Sequence, residues 1–179
     1  YLTDTAFQAT LDAQMVFGGH GYIREWGMEQ CIRDLRISQI YEGTNGVQSQ
    51  DLIGRKTIKC GGAFIAEYIA EIRDTVFKFI IDATLDSATE IEAITQFIIE
   101  QAAENVDFPN AAAVDYLHAV GLLSFAYMFA KIAAAAKDKS GDFYQNKLAL
   151  AQYFVDRILP ELDSRLAKIK AGSDLIMNF

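Results

Sequence analysis

The residues of this sequence best able to do chemistry lie in the run Gln39-Ile40-Tyr41-Glu42-Gly43-Thr44-Asn45-Gly46-Val47-Gln48. A single carboxylate, Glu42, stands there between an apolar-aromatic pair and a glycine, just ahead of a helical pattern. Carboxylates are seldom held among apolar side chains unless something pairs with them or uses them. A neighbouring glycine lets a ligand come close to the main chain. The residues alone leave two readings of Glu42 open. It can serve as an acid or base toward a bound ligand, or it can precede a helix and favour the positive end of that helix's dipole.

The elements that must position this run are helical. Ala6, Ala9, Ala13, Val16 and Phe17 repeat at helical spacing, which predicts a helix over about 3–17. Gly18-Gly19-His20-Gly21 is expected to end it, because repeated glycines favour positive φ and lose entropy inside a helix. Met28, Cys31, Ile32, Leu35 and Ile37 predict a second helix over about 27–38, and a third is expected over about 44–59. Cys60-Gly61-Gly62 is the clearest break, and the expected division is into domains of residues 1–60 and 61–179. Beyond it, a helix is predicted over about 63–84, with Ile65, Ile69, Ile72, Val76, Phe79 and Ile80 mostly on one face. Ser87 and Glu90 form a capping-box pattern that predicts a new helix start. Pro109 suits the first turn of the next helix. The most apolar segment, about 111–137, reads as a central bundle helix. A last helix over about 143–170 contains Pro160, which should kink or split it near Leu159. Gly172 suits its cap. The predicted fold class is all-α, one helical bundle followed by a second, antiparallel one.

Charge and composition remove several function classes. The chain has 16 Lys and Arg against 24 Asp and Glu, a net charge of −8. Such an acidic surface repels a phosphate backbone, so nucleic-acid partners are not expected. It also has no affinity for an anionic membrane surface. No apolar run of membrane-spanning length is expected, nor a signal peptide. Cys31 and Cys60 fit neither a metal cluster nor a disulfide framework, so no metal site is expected and a reduced, cytoplasmic setting is the default. The chain opens at Tyr1 with a helical pattern already running by Ala6, as a piece of a longer polypeptide would.

Taken in order, Ala13-Gln14-Met15-Val16-Phe17-Gly18-Gly19-His20-Gly21-Tyr22, then Glu25-Trp26-Gly27-Met28-Glu29, Arg33-Asp34 and Ile40-Tyr41-Glu42-Gly43-Thr44 closely resemble the C-terminal helical domain of the flavin-dependent acyl-CoA dehydrogenases. The resemblance covers about the first 55 residues, with several elements in order and at the family's spacing. It implies α,β-dehydrogenation of an acyl-CoA thioester, with FAD as cofactor. Glu42 then corresponds to the base that removes the α-proton while hydride leaves Cβ for the flavin. A carboxylate with an ordinary pKa of about 4.3 is a weak base in water, and exclusion of water by acyl chain and flavin brings such a group toward working range. The Glu42 N–H would polarise the thioester carbonyl. Tyr41 and Gly43 would border the substrate. Gln14, Gly18 and Gly19 would face the ADP part of FAD bound to a neighbouring subunit, and Thr44 would contact the flavin, cap the third helix, or do both.

The same comparison implies a homo-oligomer, dimer or tetramer, and an electron-transfer flavoprotein as acceptor. Gly27 departs from the proline that many short-chain members carry after the aromatic residue. The longer pattern through Asp51-Leu52-Ile53-Gly54-Arg55-Lys56 is similar to a larger subgroup with an additional C-terminal helical domain, which residues after about 60 would supply. Acyl-CoA oxidases share the fold and a similar Gly-Gly-His-Gly-Tyr turn, but Asp-Asn usually follows their Tyr-Glu-Gly, where this chain has Thr44-Asn45. A non-catalytic helical assembly module is the further alternative. Arg33-Asp34 reads as a structural ion pair, His20 as a turn residue and His118 as a core or surface histidine. Alone, the 179 residues are expected to be inactive and flavin-free.

Overall fold

The computed structural model describes residues 1–75 and 81–177. Every regular element among them is helical. They form two compact units, Tyr1–Gln48 and Ser49–Phe179.

In the first unit, α1 (Leu2–Val16), α2 (Gly19–Tyr22) and α3 (Met28–Arg36) precede the Glu42 run, and α4 (Asn45–Gln50) follows it. The glycine-rich stretch does more than end α1. α1 ends where the glycines were expected to end it, with Gly18 at φ +59°, and Gly19 to Tyr22 then coil into a further helical turn. Gly21 is what makes that turn possible. A Cβ there would meet the Gln14 carbonyl oxygen at 2.5 Å and Phe17 Cβ at 2.9 Å. Gly27 precedes α3 at φ +76°, a value closed to proline, whose ring fixes φ near about −65°. The departure from proline at this position therefore has a backbone cause.

The second unit is organised around α7 (Phe108–Ala136). Asp107 stands at its N-cap and Pro109 lies in the first turn, where a missing N–H costs little. By length and composition α7 could cross a membrane, although the sequence promised no such run. Its surroundings are those of a bundle helix. Tyr116, Ala119, Leu122, Leu123, Ala126 and Ala133 are fully buried, against α6 (Ile81–Glu104), α8 (Asp142–Tyr153), α9 (Glu161–Lys170) and the segment Asp51–Ile58. A helix apolar on most sides needs neighbours on most sides. Alanines at the contact positions keep those neighbours close. His118 belongs to this buried helix.

Polar contacts fix the register of these packed helices. Tyr116 Oη and Thr95 Oγ1 share a buried hydrogen bond of 2.8 Å. The Tyr127 hydroxyl donates to Glu71 at 3.0 Å, and that of Tyr68 to Ser124. Arg165 joins Asp115 of α7 to Glu161 of its own helix.

Several expected boundaries move. The run from α4 continues to Ile58, but from Asp51 onward it winds as a wider π-helix, closed by Lys59 N–H to the Gly54 carbonyl at 3.0 Å. Ser49, Ile53 and Thr57 form its buried stripe. Gly61 and Gly62, at φ +60° and +79°, turn the chain into α5 (Ala63–Thr75). The predicted helix over about 63–84 is therefore shorter in its described part, and Val76, Phe79 and Ile80 lie outside the described residues. Asp82 to Thr84 belong to α6, so Ser87 is not an N-cap. Its hydroxyl donates back to the Ala83 carbonyl at 2.7 Å inside the helix, an alternative open to any serine one turn on.

Pro160 does split the last helix. The turn Phe154–Ile158 widens to π geometry, with Leu159 N–H reaching the Phe154 carbonyl at 2.9 Å, and α9 starts after the proline. A proline ring clashes with the carbonyl four residues earlier, and a wider turn relieves that clash. Gly172, at φ +82°, ends α9 as its composition suggested.

Glu90 lies on α6 at the edge of a small apolar cleft floored by Ile94, Phe97 and Leu166. Partial burial, with Asp163 and Asp86 nearby, pushes its carboxyl above the usual range, against the opposing pull of Lys170. A raised folded pKa means that the folded chain binds more protons than the unfolded one, so stability falls as pH rises through that window. The Glu90→Gln variant should therefore lose less urea resistance than the parent as pH rises above the ordinary glutamate value of about 4.3. Parallel curves for the two proteins would contradict this.

Candidate active site

The run bearing Glu42 starts after a short 3₁₀ turn, Ile37–Gln39, that extends α3. Tyr41 N–H reaches back to the Ile37 carbonyl at 3.0 Å. The chain then reverses hand. Glu42 adopts φ +55°, the only positive φ at a non-glycine residue among those described, and Gly43 follows at +87°. For a residue with a Cβ the left-handed region costs about 1–2 kcal/mol, and such conformations persist only where surrounding contacts hold them.

Three contacts hold this one. The Gln48 side-chain amide donates from Nε2 to the Glu42 carbonyl at 2.9 Å. Val47 N–H donates to Thr44 Oγ1 at 3.2 Å, which makes Thr44 the side-chain cap of α4. Gly43 packs against both, since a Cβ there would lie 3.1 Å from Gln48 Nε2 and 3.4 Å from Val47 Cγ1. The Glu42 side chain itself is exposed. Neither its carboxylate nor its N–H has a hydrogen-bond partner among the described residues.

The two ends of the run are joined by one carboxylate. Asp4 of α1 accepts at Oδ1 from Gln39 Nε2 at 2.5 Å and from Asn45 Nδ2 at 2.6 Å. Arg36 donates to Gln39 Oε1 at 2.6 Å and Thr3 to Asn45 Oδ1 at 3.0 Å. Both amides are thereby turned with their nitrogens toward Asp4. All of the shared groups except Arg36 are partly buried.

A separate groove of 680 Å³ opens between α1, α2 and α3. Gln14, Tyr22, Arg24, Glu29 and Arg33 line it over Leu11 and Ile32. Gln14 Nε2 donates to the Gly21 carbonyl at 3.2 Å. Arg33 forms a two-pronged pair with Glu29, at 2.8 and 3.0 Å. That pair corrects the expected partnership of Arg33 with Asp34, which instead takes a hydrogen bond from Gln30. One helical turn separates residues 29 and 33, whereas adjacent residues point apart. Glu29 is held below the usual carboxylate range chiefly by its hydrogen bond from Arg33. Arg33 and the Gln14 amide are thus already engaged within the groove, while Arg24 and Tyr22 lie at its edge.

Among the residues expected from sequence, Tyr41, Glu42, Gly43 and Thr44 occupy the left-handed run. Gln14 lines the groove, with Gly18 and Gly19 on the turn beside it. A Cβ at Gly18 or Gly19 would meet nothing within 4 Å. Gly18 needs glycine for its φ, whereas packing makes no such demand at Gly19. His20 packs edge-on against Trp26, with 4.7 Å between ring centroids, and takes no part in the run. Cys31 and Cys60 are free thiols. No group of His, Cys, Asp and Glu able to hold a metal occurs among the described residues. Sequence reading missed Asp4, because nothing in its local pattern reveals contacts with residues 35 and 41 positions away.

Residues 1–57 match the family described as acyl-CoA dehydrogenase, C-terminal domain, and residues 62–179 match the family described as acetyl-CoA dehydrogenase C-terminal like. The chain is 29% identical to a 3-methylmercaptopropionyl-CoA dehydrogenase of Ruegeria pomeroyi, over 99% of this chain and 32% of that protein. It is 27% identical to the broad-specificity linear acyl-CoA dehydrogenase FadE5 of Mycobacterium tuberculosis, over 98% of this chain and 32% of the relative. A butyryl-CoA dehydrogenase of Syntrophomonas wolfei is 30% identical over 96% of this chain and 31% of its own length. The chain thus spans about a third of these relatives.

The two kinds of glycine respond differently to a methyl group. Gly43→Ala must place a Cβ on a left-handed residue against Gln48 and Val47, and should destabilise the run by about 1–2 kcal/mol. Gly19→Ala should stay within about 0.5 kcal/mol of the parent. Urea unfolding of the two variants, side by side, checks the contrast.

Proposed function

This chain belongs to the acyl-CoA dehydrogenase family, and it combines the C-terminal helical domain with the extra helical domain of larger members. On that premise we propose that it supplies the catalytic base of an FAD-dependent acyl-CoA dehydrogenase. The observation that carries the reading is the Glu42 run: a carboxylate and its own N–H, both without a partner among the described residues, presented by a left-handed turn.

In the proposed reaction the α-carbon C–H bond of an acyl-CoA breaks and its proton passes to a Glu42 carboxylate oxygen. The bonding pair becomes the Cα=Cβ bond as the β-hydrogen departs with its electrons. FAD, when bound, supplies the acceptor for that hydride. Glu42 N–H donates to the thioester carbonyl, where negative charge grows as the α-proton leaves. Gly43 removes the side chain that would keep the thioester from the backbone, and Tyr41 borders the same approach. Thr44, while capping α4, lies next in line for contact with the flavin.

The nucleotide half of the cofactor belongs against Gln14, Gly18 and Gly19. The open space over Gly19, and Arg24 at the edge of the groove that Gln14 lines, support that reading. We place that ADP group on a neighbouring subunit. A homo-oligomer, as the family resemblance implies, supplies that neighbour.

In the complete enzyme, Glu42→Gln should keep its FAD and lose substrate-driven bleaching of the flavin by at least about 100-fold, the usual scale for removing a general base. Normal turnover by that variant would remove Glu42 from the mechanism. Thr44-Asn45, in place of the Asp-Asn found in oxidases, supports transfer of electrons to an electron-transfer flavoprotein. Mixing the reduced enzyme with oxygen in a stopped-flow instrument should accordingly give slow peroxide formation. A rapid burst would identify an oxidase.

A further inference from the structure

We infer that Asp4 is a positioning residue for the base, setting the backbone corner from which the Glu42 side chain leaves by tying together the two ends of its run. The inference rests on the proposed role of Glu42 and extends it to a residue nearly forty positions upstream. Its ground is the hydrogen-bond geometry. Gln39 and Asn45 stand three residues before and three residues after Glu42, and both amide nitrogens converge on the same oxygen, Asp4 Oδ1, at 2.5 and 2.6 Å.

The orientation of each amide is fixed from outside. Arg36 occupies the Gln39 oxygen at 2.6 Å and Thr3 occupies that of Asn45 at 3.0 Å, so neither amide can flip without losing a partner. The Arg36 guanidinium also lies over the Phe7 ring, 5.6 Å from its centroid, which anchors that end to α1. The network therefore runs from α3 through Gln39, Asp4 and Asn45 into α4, with Glu42 at the apex of the closed loop.

A loop pinned at both feet transmits a shift at its feet to its tip. Gln48 holds the tip locally, through the Glu42 carbonyl, but Gln48 itself rides on α4, whose start is held by Asn45. Asp4 thus sits beneath both supports. A displacement of about 1 Å between a catalytic group and its reacting atom can cost about 100-fold in rate. Substrate binding depends on many contacts elsewhere in the protein and should suffer much less.

The test uses the complete enzyme, with butyryl-CoA as substrate probe and the Glu42→Gln variant as reference. Asp4→Ala should reduce kcat by about 10- to 100-fold, with KM changed by less than about threefold and FAD content unchanged. Asp4→Asn keeps the accepting oxygen and the shape, and should recover kcat to within about fivefold of the parent. Gln39→Met removes one foot of the loop and should lower kcat less than Asp4→Ala does. It gives the same reading should Asp4→Ala fail to fold. A parental kcat in folded Asp4→Ala, or losses of kcat that only follow losses of bound flavin, would overturn the positioning role. So would a parental kcat in Gln39→Met. If Glu42→Gln is active, the base assignment falls instead, so the two failures are distinguishable.

Discussion

The left-handed backbone at Glu42 is the constraint on which the rest of the first unit depends. A side chain leaving a residue at φ +55° points where no residue of the flanking helices could send it. It leaves at a sharp corner between α3 and α4, with its own N–H beside it and without a partner among the described residues. Such a corner does not hold itself, because the left-handed region is disfavoured for any residue with a Cβ. Glycine at the next position removes one steric obstacle. The Gln48 amide satisfies the carbonyl, Thr44 caps the helix that follows, and Asp4 ties the ends. The contacts are polar and short, so they specify an angle more than they add stability. Net, each contributes on the order of 1 kcal/mol.

The second unit has the opposite character. Its α7 is buried by α6, α8 and α9, and isoleucines of α5 and α6 fill the space around it. Hydrophobic burial is non-directional, so the hydroxyl-to-carboxylate and hydroxyl-to-hydroxyl bonds at Tyr116, Tyr127 and Tyr68 provide the register that burial alone leaves loose. The first unit buries little and presents the exposed Glu42 run. The second buries much, and among its described residues offers no comparable exposed polar run.

What could be read from the sequence follows the range of the interactions involved. Helical spacing is a local signal, so α1, α3 and α7 were legible, as was the break at Pro160, where a missing N–H and a ring clash act within one turn. Ser87 misled because a capping box and a mid-helix serine share the same local residues. Which one forms is decided by whether the chain upstream is already helical, and here it is. Gly18 to Gly21 end α1 as their composition predicts, but the close packing of Gly21 on Gln14 and Phe17, which coils the chain again at once, has no local signal. The ordered motifs from Gln14 to Thr44 pointed to the family and to Glu42. They were silent on Asp4, whose partners lie far along the chain, and on the hand of the Glu42 backbone, since glutamate carries no preference for it.

Under the proposed function, the work on the base divides along the same line. This chain fixes the direction in which the Glu42 side chain leaves the backbone and leaves its N–H without a partner among the described residues. It does not exclude water, for the Glu42 side chain is exposed in this unit. Direction and desolvation are separate contributions to proton abstraction: one lowers the entropy cost of reaching a reactive geometry, the other favours the neutral acid over the carboxylate and so strengthens the base. A rigid polar loop can provide the first by itself. The second needs apolar surface on the open side, and the acyl chain of the substrate would bring part of that surface each time it binds.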